Sequence, residues 1–165
     1  MIICITGVAG VGKTTIAKEL ANGLNAVYIN LLDFAKERDL IISYDEANNT
    51  YIVDEEALIR EISNIFEVGK IYVIDGNFSH LIPADLYIVI RTDPNILYKR
   101  LEERGYPYHK IFENIWAMNL EVIEDELESM GKVYYTFYNN NREDIEKIVK
   151  NILEIIKSNY PGINF

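Results

Sequence analysis

Apolar residues gather in short runs along the chain, at residues 2–6 (IICIT), 26–29 (AVYI), 71–75 (IYVID), 86–91 (LYIVIR) and 132–137 (KVYYTF). Each run is short and apolar nearly throughout, without the alternation of a half-exposed strand, as expected of strands buried on both faces of a parallel sheet. Helical patterns fill the intervals. One follows a glycine-rich loop over residues 14–22, and a second spans 54–67, from an acidic cap at Asp54 to a stop before Gly69. A third runs 94–104, with Asp93 as cap and Pro94 in the first helical position. A long fourth covers 109–130 ahead of Gly131, and the last covers 142–158. Strands alternating with helices predict an α/β protein, a parallel sheet covered by helices on both faces in three layers.

One segment interrupts the alternation. LIISYDEANNTYIVD (40–54) reads as two extended arms around the turn-rich DEANN, a small flap outside the main sheet. With no repeat, low-complexity tract or linker, all 165 residues are expected to form a single domain. A chain of this length buries roughly two thirds of its unfolded surface, enough for a core without disulfides or a structural metal. The one cysteine, Cys4, lies in an apolar run and reads as a buried thiol. The opening MIICITG lacks a basic region and soon reaches glycine, and no later apolar run is long enough to span a membrane. The expectation is a cytoplasmic protein with no membrane partner.

Charge narrows the partners. Against 16 Lys plus Arg stand 26 Asp plus Glu, for a net charge of -10, which argues against sequence-specific nucleic-acid binding. The excess either keeps a small domain soluble or forms a surface for a basic protein.

GVAGVGKTT (7–15) matches the Walker A pattern, with Gly7, Gly12, Lys13 and Thr14 in the required places, and it joins a predicted strand to a predicted helix. Glycines allow positive φ, so successive N–H groups can turn toward one phosphate at a helix N-terminus. Lys13 would then reach the β- and γ-phosphates of ATP and Thr14 would ligate Mg²⁺. Asp75, closing the third run, is the candidate second metal anchor, acting through water.

Three features bear on the phosphoryl acceptor. NLLDFAKERD (30–39) carries Asp33, Lys36 and Arg38 just before the flap, and is either part of an acceptor site or an amphipathic helix with a solvated face. RLEERGY (100–106) places Arg100 and Arg104 one helical turn apart, where like charges repel by about 0.2–0.5 kcal/mol. Arg100 has Glu103 within reach and Arg104 has no local counter-ion. The pair is either surface charge or a clamp for transferring phosphate, hinged at Gly105. Arg91, ending the fourth run, is either near the site or structural.

Taken together, GVAGVGKTT, YINLLDFAKE, YDE, VIDG and above all IVIRTDPNILYKRLEERGY resemble the adenylate kinase isoenzyme 6 family, small nucleotide kinases also described as ATPases of ribosome assembly. The resemblance runs from Met1 to the final helix. It implies a P-loop nucleoside monophosphate kinase fold with sheet order 2-3-1-4-5, a monophosphate-binding region at about 30–53 and a small lid at about 103–113. It also implies that Gly10, Gly12, Lys13, Thr14 and Thr15 bind ATP, that Arg104 reaches its phosphates, and that Asp33 lies in the monophosphate site. Two positions depart from the family. Asn77 stands where many members have a histidine assigned to water activation, leaving His80 as the nearby alternative. Lys36, with Arg38 close by, stands where relatives can carry an arginine facing the monophosphate.

The expected function is transfer of the ATP γ-phosphoryl to AMP or another nucleoside monophosphate with Mg²⁺, with ATPase activity and small-subunit ribosome maturation as implied companions. The alternatives are an ATPase assembly factor bound to a basic ribosomal protein with little kinase activity, and a P-loop kinase of a small metabolite.

Overall fold

A computed structural model describes residues 1–163. Its main sheet has five parallel strands, β1 (Ile2–Thr6), β2 (Val27–Asn30), β5 (Tyr72–Asp75), β6 (Leu86–Arg91) and β7 (Tyr134–Tyr138). They lie in the order β2-β5-β1-β6-β7. Counting these five alone, the order is the 2-3-1-4-5 that the resemblance implies. A separate antiparallel hairpin, β3 (Ile41–Asp45) and β4 (Thr50–Val53), is the flap. Its turn is closed by Asp45, which accepts from the Asn48 backbone and side-chain nitrogens at 3.2 and 2.7 Å.

Residue alternation along the strands divides the core in two. Ile3, Ile5, Ile88 and Ile90 pack on one face against α1 (Lys13–Leu24), α4 (Pro94–Glu103), α5 (Tyr108–Asn119) and α7 (Arg142–Asn159). Cys4, Ile74, Tyr87 and Val89 turn to the other face, against α2 (Leu31–Glu37), α3 (Glu55–Ser63) and α6 (Val122–Ser129). Cys4 is fully buried, and burial pushes its thiol well above the usual range. Among the described residues no helix is long and apolar enough to cross a membrane.

Two helices differ from expectation. The pattern at 54–67 stops at Ser63 because Tyr72, on β5, claims the backbone beyond it. Its hydroxyl donates to the Ile65 carbonyl at 3.0 Å and accepts from the Glu67 N–H at 3.1 Å. The single helix expected over 109–130 is broken into α5 and α6 at Glu121, whose φ is 55°. Arg91, at the end of β6, reaches across the break to Glu121 and to the buried Glu124, each at 3.0 Å. Glu121 is the left-handed cap of α6 and Glu124 lies in its first turn, so the one guanidinium holds the start of that helix at both places. Arg91 is therefore a structural tie between β6 and α6.

Candidate active site

Parallel register brings the site together. Asn30 pairs opposite Asp75, and Asp75 opposite Ile5, so the chain leaves β2, β5 and β1 at one carboxyl edge. There the loop between β1 and α1 wraps over the sheet, as expected of ligand sites in open α/β sheets. Gly12 caps α1 with φ 92°, and Gly10 has φ 87°. A Cβ at Gly10 would come within 2.8 Å of Leu101, so both conformation and space call for glycine.

Lys13 opens α1 and is buried, its ammonium donating to the Val8 carbonyl at 2.8 Å. Burial lowers its pKa to about 8, Asp75 opposes the shift, and the charge of Arg104 adds to it. Asp75 is 1% exposed, and its Oδ2 accepts from Thr14 Oγ1 at 2.6 Å, the Tyr28 hydroxyl at 2.9 Å and Asn30 Nδ2 at 3.4 Å. Burial and the neighbouring Asp75 push the Tyr28 phenol up to about 12, so it stays a donor at neutral pH. Tyr28 and Asn30 were not singled out in the sequence. Their signal is their i, i+2 spacing at the end of a strand, which puts both side chains on one face.

A hydroxyl and a carboxylate in contact supply hard oxygen donors suited to Mg²⁺, which keeps several water and phosphate ligands of its own. Among the described residues no cluster of three His, Cys, Asp or Glu forms a closed metal cage. The Thr14–Asp75 pair thus fits a magnesium that arrives with nucleotide. Thr15 lies exposed in the first turn of α1.

The two arginines have different surroundings. Arg100 is half-buried and does not use Glu103. Its Nη1 donates to the Gly10 carbonyl at 3.3 Å and to Thr92 Oγ1 at 3.1 Å. Burial, then the charge of Arg104, lower its pKa, against the pull of Asp144. Arg104 caps the end of α4, is exposed, and makes no ion pair or side-chain hydrogen bond among the described residues. Gly105 follows with φ 75° and open space around it. Of residues 103–113, the later part is anchored, since Ile111 is fully buried on α5.

Between the glycine loop, the flap and α5 lies a cleft of about 460 Å³, lined in part by Ala9, Tyr51, Asn77, Lys110 and Asn114. Asn114 Oδ1 accepts from the Ala9 N–H at 3.2 Å, joining α5 to the loop. Lys110 and Asn114 were also missed in the sequence, being ordinary polar positions of an amphipathic helix. Of the expected acceptor residues, Lys36 sits 4.2 Å from the centre of the Tyr51 ring, against the cleft wall. Asp33 is exposed in the first turn of α2, its N–H taken by Asn30 Oδ1. Arg38 is turned toward α3, pairing with Glu61 at 3.5 Å and lying over Phe34, so it is drawn away from the cleft.

His80 requires a correction. It is 5% exposed, with Nδ1 3.1 Å from Thr6 Oγ1 and Nε2 2.6 Å from Glu126 Oε2. Both ring nitrogens therefore have partners within the protein, whichever tautomer is present. Neither is left to take a proton from water, which removes the basis for a water-activating role.

The family model described as "AAA domain" matches residues 3–121. A protein of Methanocaldococcus jannaschii named "Putative adenylate kinase" is 43% identical over 95% of this chain and 86% of its own length. A protein of Pyrococcus furiosus with the same name is 42% identical over 96% of this chain and 85% of its own length. Among solved structures, a shikimate kinase from Bacteroides thetaiotaomicron has a TM-score of 0.63 at 21% identity, over 95% of this chain and 98% of that one. That last likeness concerns the fold.

Proposed function

Because the chain belongs to the AAA domain family and, within it, to the adenylate kinase-like proteins, we propose that it is a nucleoside monophosphate kinase. In this reading it transfers the γ-phosphoryl of ATP to AMP or a related monophosphate. The observation that carries the reading is one of adjacency. A phosphate loop with its Thr14–Asp75 metal pair borders an open cleft of about 460 Å³, walled by a flap that the bare loop would not need for hydrolysis.

Phosphoryl transfer asks the protein for position and for positive charge around the equatorial oxygens, with no covalent step on the enzyme. Lys13 would leave the Val8 carbonyl and move its ammonium to the β- and γ-phosphates, a short move because the loop already holds it. Thr14 and Asp75 would hold Mg²⁺, which supplies charge neutralisation to the phosphates. Arg104 would swing about Gly105 onto the phosphoryl group, its charge already felt at Lys13. In the cleft, Lys36 and Tyr51 would face the acceptor from the flap side, with the first turn of α2 carrying Asp33 nearby. The monophosphate region at 30–53 and a lid centred on Arg104 and Gly105 are part of the same proposal.

Hydrolysis without an acceptor has weaker support, since Asn77 carries no titratable group and His80 is engaged on both sides. A role in ribosome assembly rests on the family resemblance and on the net charge of -10, and co-purification with a basic small-subunit ribosomal protein would test it. The cleft is within the roughly 300–1,000 Å³ of small-ligand pockets, so a small-metabolite acceptor belongs in the same assay. ADP formation from MgATP is measured with and without AMP, other monophosphates and small hydroxy acids. We expect turnover that depends on a monophosphate and collapses in Lys13→Ala and Arg104→Ala. ADP formation indifferent to any monophosphate would sink the kinase reading.

A further inference from the structure

Three carbonyls of the phosphate loop each receive a donor. Lys13 Nζ meets the Val8 carbonyl at 2.8 Å, Arg100 Nη1 the Gly10 carbonyl at 3.3 Å, and Asn139 Nδ2 the Val11 carbonyl at 2.9 Å. The last two donors are themselves joined. The Thr92 hydroxyl donates to the Asn139 carbonyl at 2.5 Å and accepts from Arg100 Nη1 at 3.1 Å. Thr92 and Asn139 are 1% and 3% exposed, so the Thr92–Asn139 and Asn139–Val11 bonds are shielded from water, while those of Arg100 are partly buried. It links the ends of β6 and β7 to α4 and closes on the loop.

The sense of these bonds matters for an anion site. A peptide whose carbonyl points outward presents its N–H inward, and a flipped peptide would set a carbonyl against phosphate. Glycines make such flips cheap. Unlike the Lys13 contact, the donors on the Gly10 and Val11 carbonyls stay in place when phosphate binds and hold those peptides in the favourable sense beforehand, and preorganisation of this kind raises affinity. Two details support the point. A Cβ at Gly12 would collide with the Asn139 carboxamide, so the glycine admits the anchor as well as the turn. Asn139 Oδ1 is buried with no partner among the described residues, an unfavourable state that the opposite amide orientation would worsen by setting oxygen against the Val11 carbonyl.

We propose that Thr92, Asn139 and Arg100 are positioning residues that hold the loop in its anion-receiving form, so that Arg100 acts through the loop and not on the transferred phosphoryl group. The inference rests on the proposed binding of nucleotide polyphosphate at this loop. It separates the arginines: Arg104 reaches the ligand and Arg100 shapes the receptacle.

The test is calorimetric titration of MgADP into wild type, Thr92→Val and Thr92→Ser. Valine keeps the shape and loses both bonds, whereas serine keeps the hydroxyl. The expected Kd rises about tenfold in Thr92→Val and stays within about threefold of wild type in Thr92→Ser, with the KM for AMP changed less than about twofold in both. A Thr92→Val protein that binds MgADP like wild type overturns the proposal, as does an equal rise in the AMP KM. Should Thr92→Val fail to fold, Arg100→Met is compared with wild type by amide hydrogen exchange across residues 8–12 without nucleotide. Faster exchange supports the proposal and unchanged exchange overturns it, since a side chain that only touched ligand would not alter the empty loop. A wild type that binds MgADP yet makes none from ATP and AMP would defeat the kinase reading while leaving this comparison valid.

Discussion

Thr14 Oγ1 lies 2.6 Å from Asp75 Oδ2, joining the first turn of α1 to the end of β5 where the two elements meet under the phosphate loop. Thr14→Ala and Asp75→Asn should each lower kcat by about a hundredfold or more, the scale of losing a positioned electrostatic contact in the transition state. Their magnesium dependence should shift to higher concentration. Activity titrated with MgCl₂ at saturating ATP checks both, and a variant as active as wild type would remove Asp75 from the metal site.

Lys13 is held at about 8 by burial, below its ordinary 10.5. Phosphate binding requires its charged form, so kcat/KM for ATP should fall as pH rises through about 8, the free-enzyme value. Folding stability should move oppositely. Between about pH 8 and 10.5 the unfolded chain binds a proton that the folded chain lacks, so the contribution of this group to stability rises with pH there. Initial rates of the wild type across pH 7–10.5 follow the first trend, and urea denaturation over the same range should show the second in wild type and lose it in Lys13→Met.

Arg104 has no partner to lose among the described residues, whereas Arg100 has two. Arg104→Ala should leave the melting temperature within about one degree and lower kcat by at least about a hundredfold, as for other arginines that meet a transferring phosphoryl group. Arg100→Ala should act mainly on nucleotide affinity. Thermal melts alongside kcat and KM for ATP distinguish the two, and equal kcat losses with unchanged affinity would show that both arginines touch the phosphoryl group.

The Arg91–Glu124 pair is nearly enclosed, with side chains 11% and 8% exposed. Glu124→Leu should destabilise the fold by on the order of 3 kcal/mol, because it strips a buried guanidinium of one partner and leaves the more exposed Glu121. The KM for ATP should change little. Chemical denaturation measures the first and initial rates the second; an unchanged unfolding midpoint would show that the tie across the α5–α6 break is dispensable.

The sheet strands and the phosphate loop were legible because each has a local signature, whereas the strand order came only from the family resemblance. Buried parallel strands demand continuous apolar runs, and a phosphate cradle demands glycine and lysine at fixed spacing. The break at Glu121 was not legible. Residues 109–130 carry an unbroken helical pattern, and the left-handed Glu121 that interrupts it is paired with Arg91, distant along the chain. Arg38 illustrates the same limit, its charge obvious in the sequence and its direction settled by Glu61 on α3.

The sequence by itself determined the layered α/β architecture, the anion-binding loop and the acid at the end of the third sheet strand, since periodicity and motif spacing act over a few residues. Tertiary structure alone decided what each polar group faces. It gave Asp75 its three donors, engaged both nitrogens of His80, assigned Arg100 to the loop carbonyl and Arg104 to open solvent, and brought Asn139 against Val11. These contacts join residues from 45 to 128 positions apart. Side-chain chemistry is written locally, but a hydrogen bond has a direction and a reach of about 3 Å, and only the packed sheet and helices fix both.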